Sequence, residues 1–155
     1  MNKNHLTDWI DKKDRIILTE LRKNARKPIK AISTSTGIPR VTIHDRINRM
    51  IKKGVIKGFT VIPDYKKINL PITAFVLVSF LPNPDVSQRE LAKRIAQMKG
   101  VYEVHIISGE YDLMLKVRGK SIDEIGKLIV DRLRRLKGVG KTITCTCFTT
   151  IKEEL

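Results

Sequence analysis

GIPRVTIHDRINRMIKKGVIKGF, Gly37 to Phe59, reads as a turn, one amphipathic helix with a polar outer face, a glycine stop and a short strand. At about 100° per residue, Ile43, Ile47, Met50 and Ile51 share one side of that helix, while Val41, Thr42, Asp45, Asn48, Arg49 and Lys52 point away. Pro39 suits its first turn and Gly54 its end. This is the second half of a helix-turn-helix. The first half is PIKAISTS, Pro28 to Ser35, which turns Ile29 and Ile32 inward and reaches a turn at Gly37.

Upstream, Asp11 to Asn24 carries Ile16, Ile17, Leu18 and Leu21 at helical spacing. Asp11 is a candidate N-cap, and Asp14 three residues on is its acidic first-turn partner. Three helices around one apolar core result. Any amphipathic trio with a glycine turn has this pattern, so charge has to separate a DNA reader from a plain bundle. The chain holds 31 Lys and Arg against 16 Asp and Glu, a formal net charge of +15. Residues 1–67 contain 17 basic against 6 acidic residues, leaving +11, whereas residues 68–155 contain 14 against 10, leaving +4. The helix-turn-helix part carries most of the excess, as binding to phosphates requires.

The 155 residues divide into two small domains. After Gly58 the period changes. FTVIPDY reads as a short alternating strand and KKINLPI as a connector, making residues 59–71 a linker strand and connector between a domain over 1–58 and one over 72–155. In the second domain ITAFVLVSF is an apolar strand, SQRELAKRIAQM a helix capped by Ser87 and Glu90, and VYEVHIIS an alternating strand. YDLMLKVRG follows as a strand, SIDEIGKLIVDRLRRL as a helix capped by Ser121 with Glu124 three on, and TITCTCFTTI as the last strand. The order βαββαβ is ferredoxin-like, so the fold class is α+β: an antiparallel sheet with two helices on one face. FVLVSF and VHIIS are apolar on both faces, which predicts that the uncovered face packs on another subunit.

Together these stretches resemble the Lrp/AsnC transcription regulators, also called feast/famine regulatory proteins. The resemblance runs over nearly the whole chain. Asp14, Leu21, Arg26, Gly37, Thr42, Arg46, Gly54, Val55, Ile56 and Gly58 fall where the family's N-terminal pattern expects such residues. GEYDLMLKV, with Gly109 and Asp112, is similar to its effector-domain signature. Pro39 departs from the pattern, standing where the family commonly has a serine that caps the recognition helix. The resemblance implies a DNA-binding repressor or activator, built from homodimers that often assemble into octamers and respond to an amino acid bound at the interface between effector domains.

The residue types agree with that reading. Arg40, Val41, Thr42, His44, Asp45 and Arg49 lie at or beside the outer face for base edges, while Lys30, Arg46, Lys52 and Lys53 are placed for phosphate or helix packing on double-stranded DNA. An amino-acid effector needs donors for its carboxylate and an acceptor for its ammonium. A turn at Gly109 and Glu110 offers backbone N–H groups, Asp112 an oxygen, and Tyr111 a wall. The alternative is a turn that needs only the glycine's positive φ, followed by a capped strand end.

Other chemistries find little support. Cys145 and Cys147, spaced i and i+2 on one strand face, suit neither a disulfide nor a metal site. His105 has no cluster of carboxylates or thiols at ligand spacing. Neither a nucleotide-binding glycine loop nor a nucleophile elbow is present, so the expectation is no enzyme, no metal and no cofactor. MNKNHLTDWI reads as neither a signal nor a transit peptide, and no run of 18 apolar residues occurs, so the expected place is the cytoplasm with no membrane partner. A ligand-independent architectural DNA-binding protein is the second reading, and an amino-acid-sensing enzyme subunit built on the βαββαβ module a distant third.

Overall fold

The computed structural model describes residues 9–153, so the leader reading of residues 1–8 lies outside the described residues. The chain divides into two compact units, Met1–Val61 and Ile62–Leu155. The first is built from α1 (Lys12–Lys23), α2 (Ile29–Thr36) and α3 (Arg40–Lys52).

Asp11 caps α1 as its spacing predicts. Its side chain accepts from the Asp14 N–H and the Asp14 carboxylate accepts from the Asp11 N–H, both at 3.0 Å. Gly37 ends α2 in the left-handed region at φ 70°, which a side chain would strain. Pro39 precedes α3 without a side-chain cap, as expected of a residue with no hydroxyl. Ile17, Ile32, Ile43 and Met50 are wholly buried between the helices, with Trp9, Leu21, Ile47 and Ile56 packed around them. Ile51 is nearly half exposed, against the expectation that it joins the core. It lies about 80° round the helix from Ile43, at the edge of the apolar stripe.

A second device locks α1 to α3. The carboxylate of Asp14 has no exposed surface, and it receives Arg46 Nη1 at 3.0 Å and Arg49 Nη2 at 2.9 and 3.1 Å. Arg46 also reaches Asp11 at 2.7 Å. The Asp14 backbone N–H and then Arg46 hold the Asp11 carboxyl below its ordinary range, and Asp11 followed by Asp14 pushes the Arg46 guanidinium up.

The second unit holds β1 (Ile72–Phe80), α4 (Gln88–Ala96), β2 (Val101–Ile106), β3 (Leu113–Gly119), α5 (Ile122–Lys127) and β4 (Val139–Thr146). The strands form one antiparallel sheet in the order β2-β3-β1-β4, the ferredoxin-like arrangement. Ala74, Val76 and Val78 of β1 and Leu113, Leu115 and Val117 of β3 face the helices and are buried with Leu91, Ile95, Ile125 and Leu133. Across the other face run rows set by register. Ile143, Leu77, Met114 and His105 make one, and Cys145, Phe75, Lys116 and Glu103 the next, with Thr73 opposite Arg118 beyond. That face is therefore apolar in part and charged in part, where the sequence suggests an apolar face throughout.

Three boundaries differ from expectation. No ladder forms over residues 59–71, so the linker strand is absent among the described residues. Phe59, Val61 and Ile62 are exposed there, because a lone extended segment has no neighbour for its N–H and C=O groups. The connector folds instead into a turn, with the Leu70 N–H on the Tyr65 carbonyl at 2.8 Å and the Asp64 carboxylate accepting from Lys66 N–H at 3.1 Å. The helix over 121–136 is broken, passing from α5 into a wide π-turn at Leu128–Arg132 and a tight turn at Leu133–Arg135, which keeps Ile125, Leu128, Ile129 and Leu133 on the core side. Lastly β4 begins at Val139 and stops at Thr146, so Cys147 lies past its end.

Asp14→Ala should destabilise the first unit by at least about 3 kcal/mol, the low end for removing one partner of a buried ion pair, because Arg46 keeps Asp11 and Arg49 turns to water. Urea unfolding followed by fluorescence of Trp9, the single tryptophan, reads this unit alone. A loss under about 1 kcal/mol, the net scale of one hydrogen bond, would reject the clamp.

Candidate functional site

The outer face of α3 divides into two halves of different character. Toward its start, Arg40, Val41, His44 and Asp45 are exposed, Val41 at 73%, and Thr42 is half-buried beside them. The His44 ring lies 3.3 Å from Asn48 Nδ2 and 3.5 Å from Asp45 Oδ1, so neighbours one turn apart and adjacent orient it. An exposed cation, an apolar tip and mixed donors and acceptors are what base edges in a major groove require.

Toward its end the basic residues are engaged. Arg46 and Arg49 hold Asp14, the Arg49 guanidinium also lies 5.4 Å over the Trp9 ring, and Lys53 Nζ stands 5.9 Å from that ring. The sequence puts Arg49 at or beside the outer face for base edges, whereas the structure has its side chain more than half covered and bonded to α1. Lys30 is exposed on α2, apart from the others in sequence but on the same three-helix unit. Asp14 is the residue that sequence reasoning undervalues. Its spacing from Asp11 reveals the capping role, but nothing local reveals partners 32 and 35 residues away.

The turn after β2 brings together Gly109, Glu110, Tyr111 and Asp112. Gly109 has φ 127°, a conformation that favours glycine, and with Glu110 it is exposed at the tip, while Tyr111 and Asp112 are half-buried. Asp112 ties this turn to the sheet. Its N–H donates to the Val78 carbonyl at 3.0 Å, its carbonyl accepts from Ile107 N–H at 2.9 Å, and its carboxylate accepts from Phe80 N–H at 2.7 Å. Gln88, at the start of α4, adds its side-chain amide to the Asp112 carbonyl at 3.3 Å. The carboxylate thus accepts from the end of β1, not from the turn's own N–H groups. Gly109 and Glu110 themselves sit at the exposed tip of the turn.

The remaining candidates are plain. His105 is exposed with Nε2 3.2 Å from Glu103, Cys145 is exposed, and both cysteines are free thiols. Among the described residues there is no group of three or more His, Cys, Asp or Glu able to hold a metal, and no helix long and apolar enough to cross a membrane.

Comparison with known proteins matches both units. Residues 10–57 match the winged helix-turn-helix DNA-binding model and residues 73–155 the Lrp/AsnC ligand binding domain. An uncharacterised HTH-type transcriptional regulator of Pyrococcus furiosus is 49% identical over 97% of this chain and 100% of its own. The HTH-type transcriptional regulator LysM of Sulfurisphaera tokodaii is 41% identical over 86% of this chain and 91% of its own. Among solved structures, a Neisseria meningitidis transcriptional regulator in complex with L-Met superposes with a TM-score of 0.87 at 21% identity, covering 93% of each chain. AsnC of E. coli superposes with a TM-score of 0.83 at 23% identity, covering 94% of this chain and 97% of its own.

Asp112→Ala should cost the second unit about 1.5–3 kcal/mol, the scale of a hydrogen bond to a charged group, and Asp112→Asn should recover most of that by keeping an acceptor for the Phe80 N–H. Denaturant unfolding followed by far-ultraviolet circular dichroism checks it. An alanine variant as stable as the parent would contradict the pinning role.

Proposed function

Because the chain belongs to the Lrp/AsnC family of transcription regulators, we propose that it recognises a specific DNA operator through α3 and that an amino acid modulates its DNA binding or assembly. The observation that carries the reading is the exposed first half of α3, where Arg40, Val41, Thr42, His44 and Asp45 stand clear of the ion cluster that secures the second half. Lys30, Arg46, Arg49 and Lys53 take phosphate-facing and packing roles. The excess of positive charge over residues 1–67 supports the same assignment. The effector meets the turn Gly109 to Asp112, its carboxylate on exposed backbone N–H groups; the L-Met held by the Neisseria regulator supports this ligand class.

The working molecule is a homodimer that assembles to an octamer in the cytoplasm and carries out no enzymatic step. The apolar row Ile143, Leu77 and Met114 on the open sheet face supports a second subunit there. Two recognition helices then address half-sites about 34 Å apart or a multiple of that.

Selection from random duplexes, followed by titration on the selected and a scrambled site at several salt concentrations, tests the proposal. The selected site should bind at least about 1,000-fold tighter. Arg40→Ala and His44→Ala should each alter preference at one or two positions by about 1–3 kcal/mol, whereas Lys30→Ala should weaken all sequences alike and reduce the salt slope by about 1. One amino acid from a panel should shift operator affinity at least about fivefold. Asp112→Asn should keep that shift and Asp112→Ala lose it. Equal affinity for both duplexes would favour the architectural reading.

A further inference from the structure

Six residues along β3 from the Asp112 turn, roughly 20 Å away, lies a group that the DNA and effector readings leave unused. Lys116 and Arg118 interrupt an otherwise apolar strand, LMLKVRG. Arg118 is only 6% exposed, an unusual place for a guanidinium unless it is paired. Its Nη1 donates to Thr73 Oγ1 at 2.8 Å, and its Nη2 donates to both carboxylate oxygens of Glu153 at 2.6 and 2.7 Å. Tyr65 lies 3.5 Å over its face, and Tyr102 stands edge-on to Tyr65 with ring centres 5.5 Å apart, so the guanidinium plane is held from several sides. Its Nε is buried with no hydrogen-bond partner. Lys116 adds a second cation, bonded to Glu153 and, at 3.0 Å, to Glu103.

Glu153 is held in this cage mainly by its charge. Residues 147–153 form neither strand nor helix, and the segment is drawn to the sheet by the Cys147 N–H on the Thr73 carbonyl at 2.9 Å. Its large apolar residues Phe148 and Ile151 are 104% and 92% exposed in the single chain, so no apolar contact within the subunit secures it. A free carboxylate could offer Arg118 and Lys116 the same bonds. Beside the guanidinium lies a cavity of about 320 Å³ lined by Pro63, Tyr65 and Pro71 together with Asp64, Lys66 and Thr73, room for a short body behind such a carboxylate, its chain against the two prolines.

We propose that the Arg118 cage is a second ligand site, separate from the Asp112 turn, which takes a small aliphatic carboxylic acid in place of the Glu153 side chain. The chain's own carboxylate competes with the ligand from a tethered position, an effective concentration in the millimolar range. Removing that competitor should therefore tighten binding, the opposite of what a purely structural role for Glu153 would give.

The test is calorimetric titration of the full chain with isovalerate, with isovaleramide as the uncharged control. Glu153→Gln should bind isovalerate about tenfold more tightly than the parent, and neither form should bind the amide. The double variant Arg118→Gln with Glu153→Gln, which leaves no buried unpaired charge, should lose binding. Should the double variant fail to fold, Tyr65→Leu on the Glu153→Gln background should weaken isovalerate at least fivefold. Unchanged affinity in Glu153→Gln, equal binding of the amide, undiminished binding in the double variant, or no saturable heat in any form would each overturn the site.

Discussion

The DNA-reading unit depends on one carboxylate that water does not reach. Asp14 begins as a capping residue of α1, and its second task is to receive two arginines from α3. Burying a carboxylate is expensive, and here two cations and a backbone N–H offset that cost. The consequence is directional. The ion cluster fixes one side of α3 against α1 while Ile43 and Met50 fix it against the core, so the exposed first half is presented on a rigid support. A recognition helix must hold its side chains steady to discriminate one base from another.

The second unit uses carboxylates in the same long-range way. Asp112 joins the turn after β2 to the end of β1, and Glu153 joins the segment after β4 to a strand in the middle of the sheet. In both, a charged side chain stitches an irregular segment to regular structure, where backbone ladders alone leave the segment without partners. The open sheet face reflects this economy. Its apolar row is left uncovered by the chain, while the row carrying Lys116 and its neighbour Arg118 is occupied by the chain itself.

Much of this was legible in the sequence because it is local. The capping pairs Asp11 with Asp14 and Ser87 with Glu90 lie three residues apart, the isoleucines of α1 to α3 repeat at helical spacing, and β1 coincides with the largely apolar stretch ITAFVLVSF. The clamps were not legible, because Asp14 and Arg49 are 35 residues apart and Asp112 and Phe80 are 32 apart, and only folding makes them neighbours. The alternation in FTVIPDY suggests a strand, yet a strand exists only when another lies beside it, and residues 59–63 have none among the described residues. Likewise the charges in LMLKVRG mark a departure from strand patterning whose meaning rests on Tyr65, Thr73 and Glu153, all distant in sequence.

Site-directed photo-crosslinking to a selected operator shows which face of the chain meets the bases. A diazirine-bearing residue would be placed at position 41, on the exposed first turn of α3, and in a second protein at position 130, on the exposed face of the other unit. Position 41 should crosslink to bases inside the recognised half-site, and position 130 should not. Crosslinks to the half-site bases from position 130 with none from position 41 would contradict it.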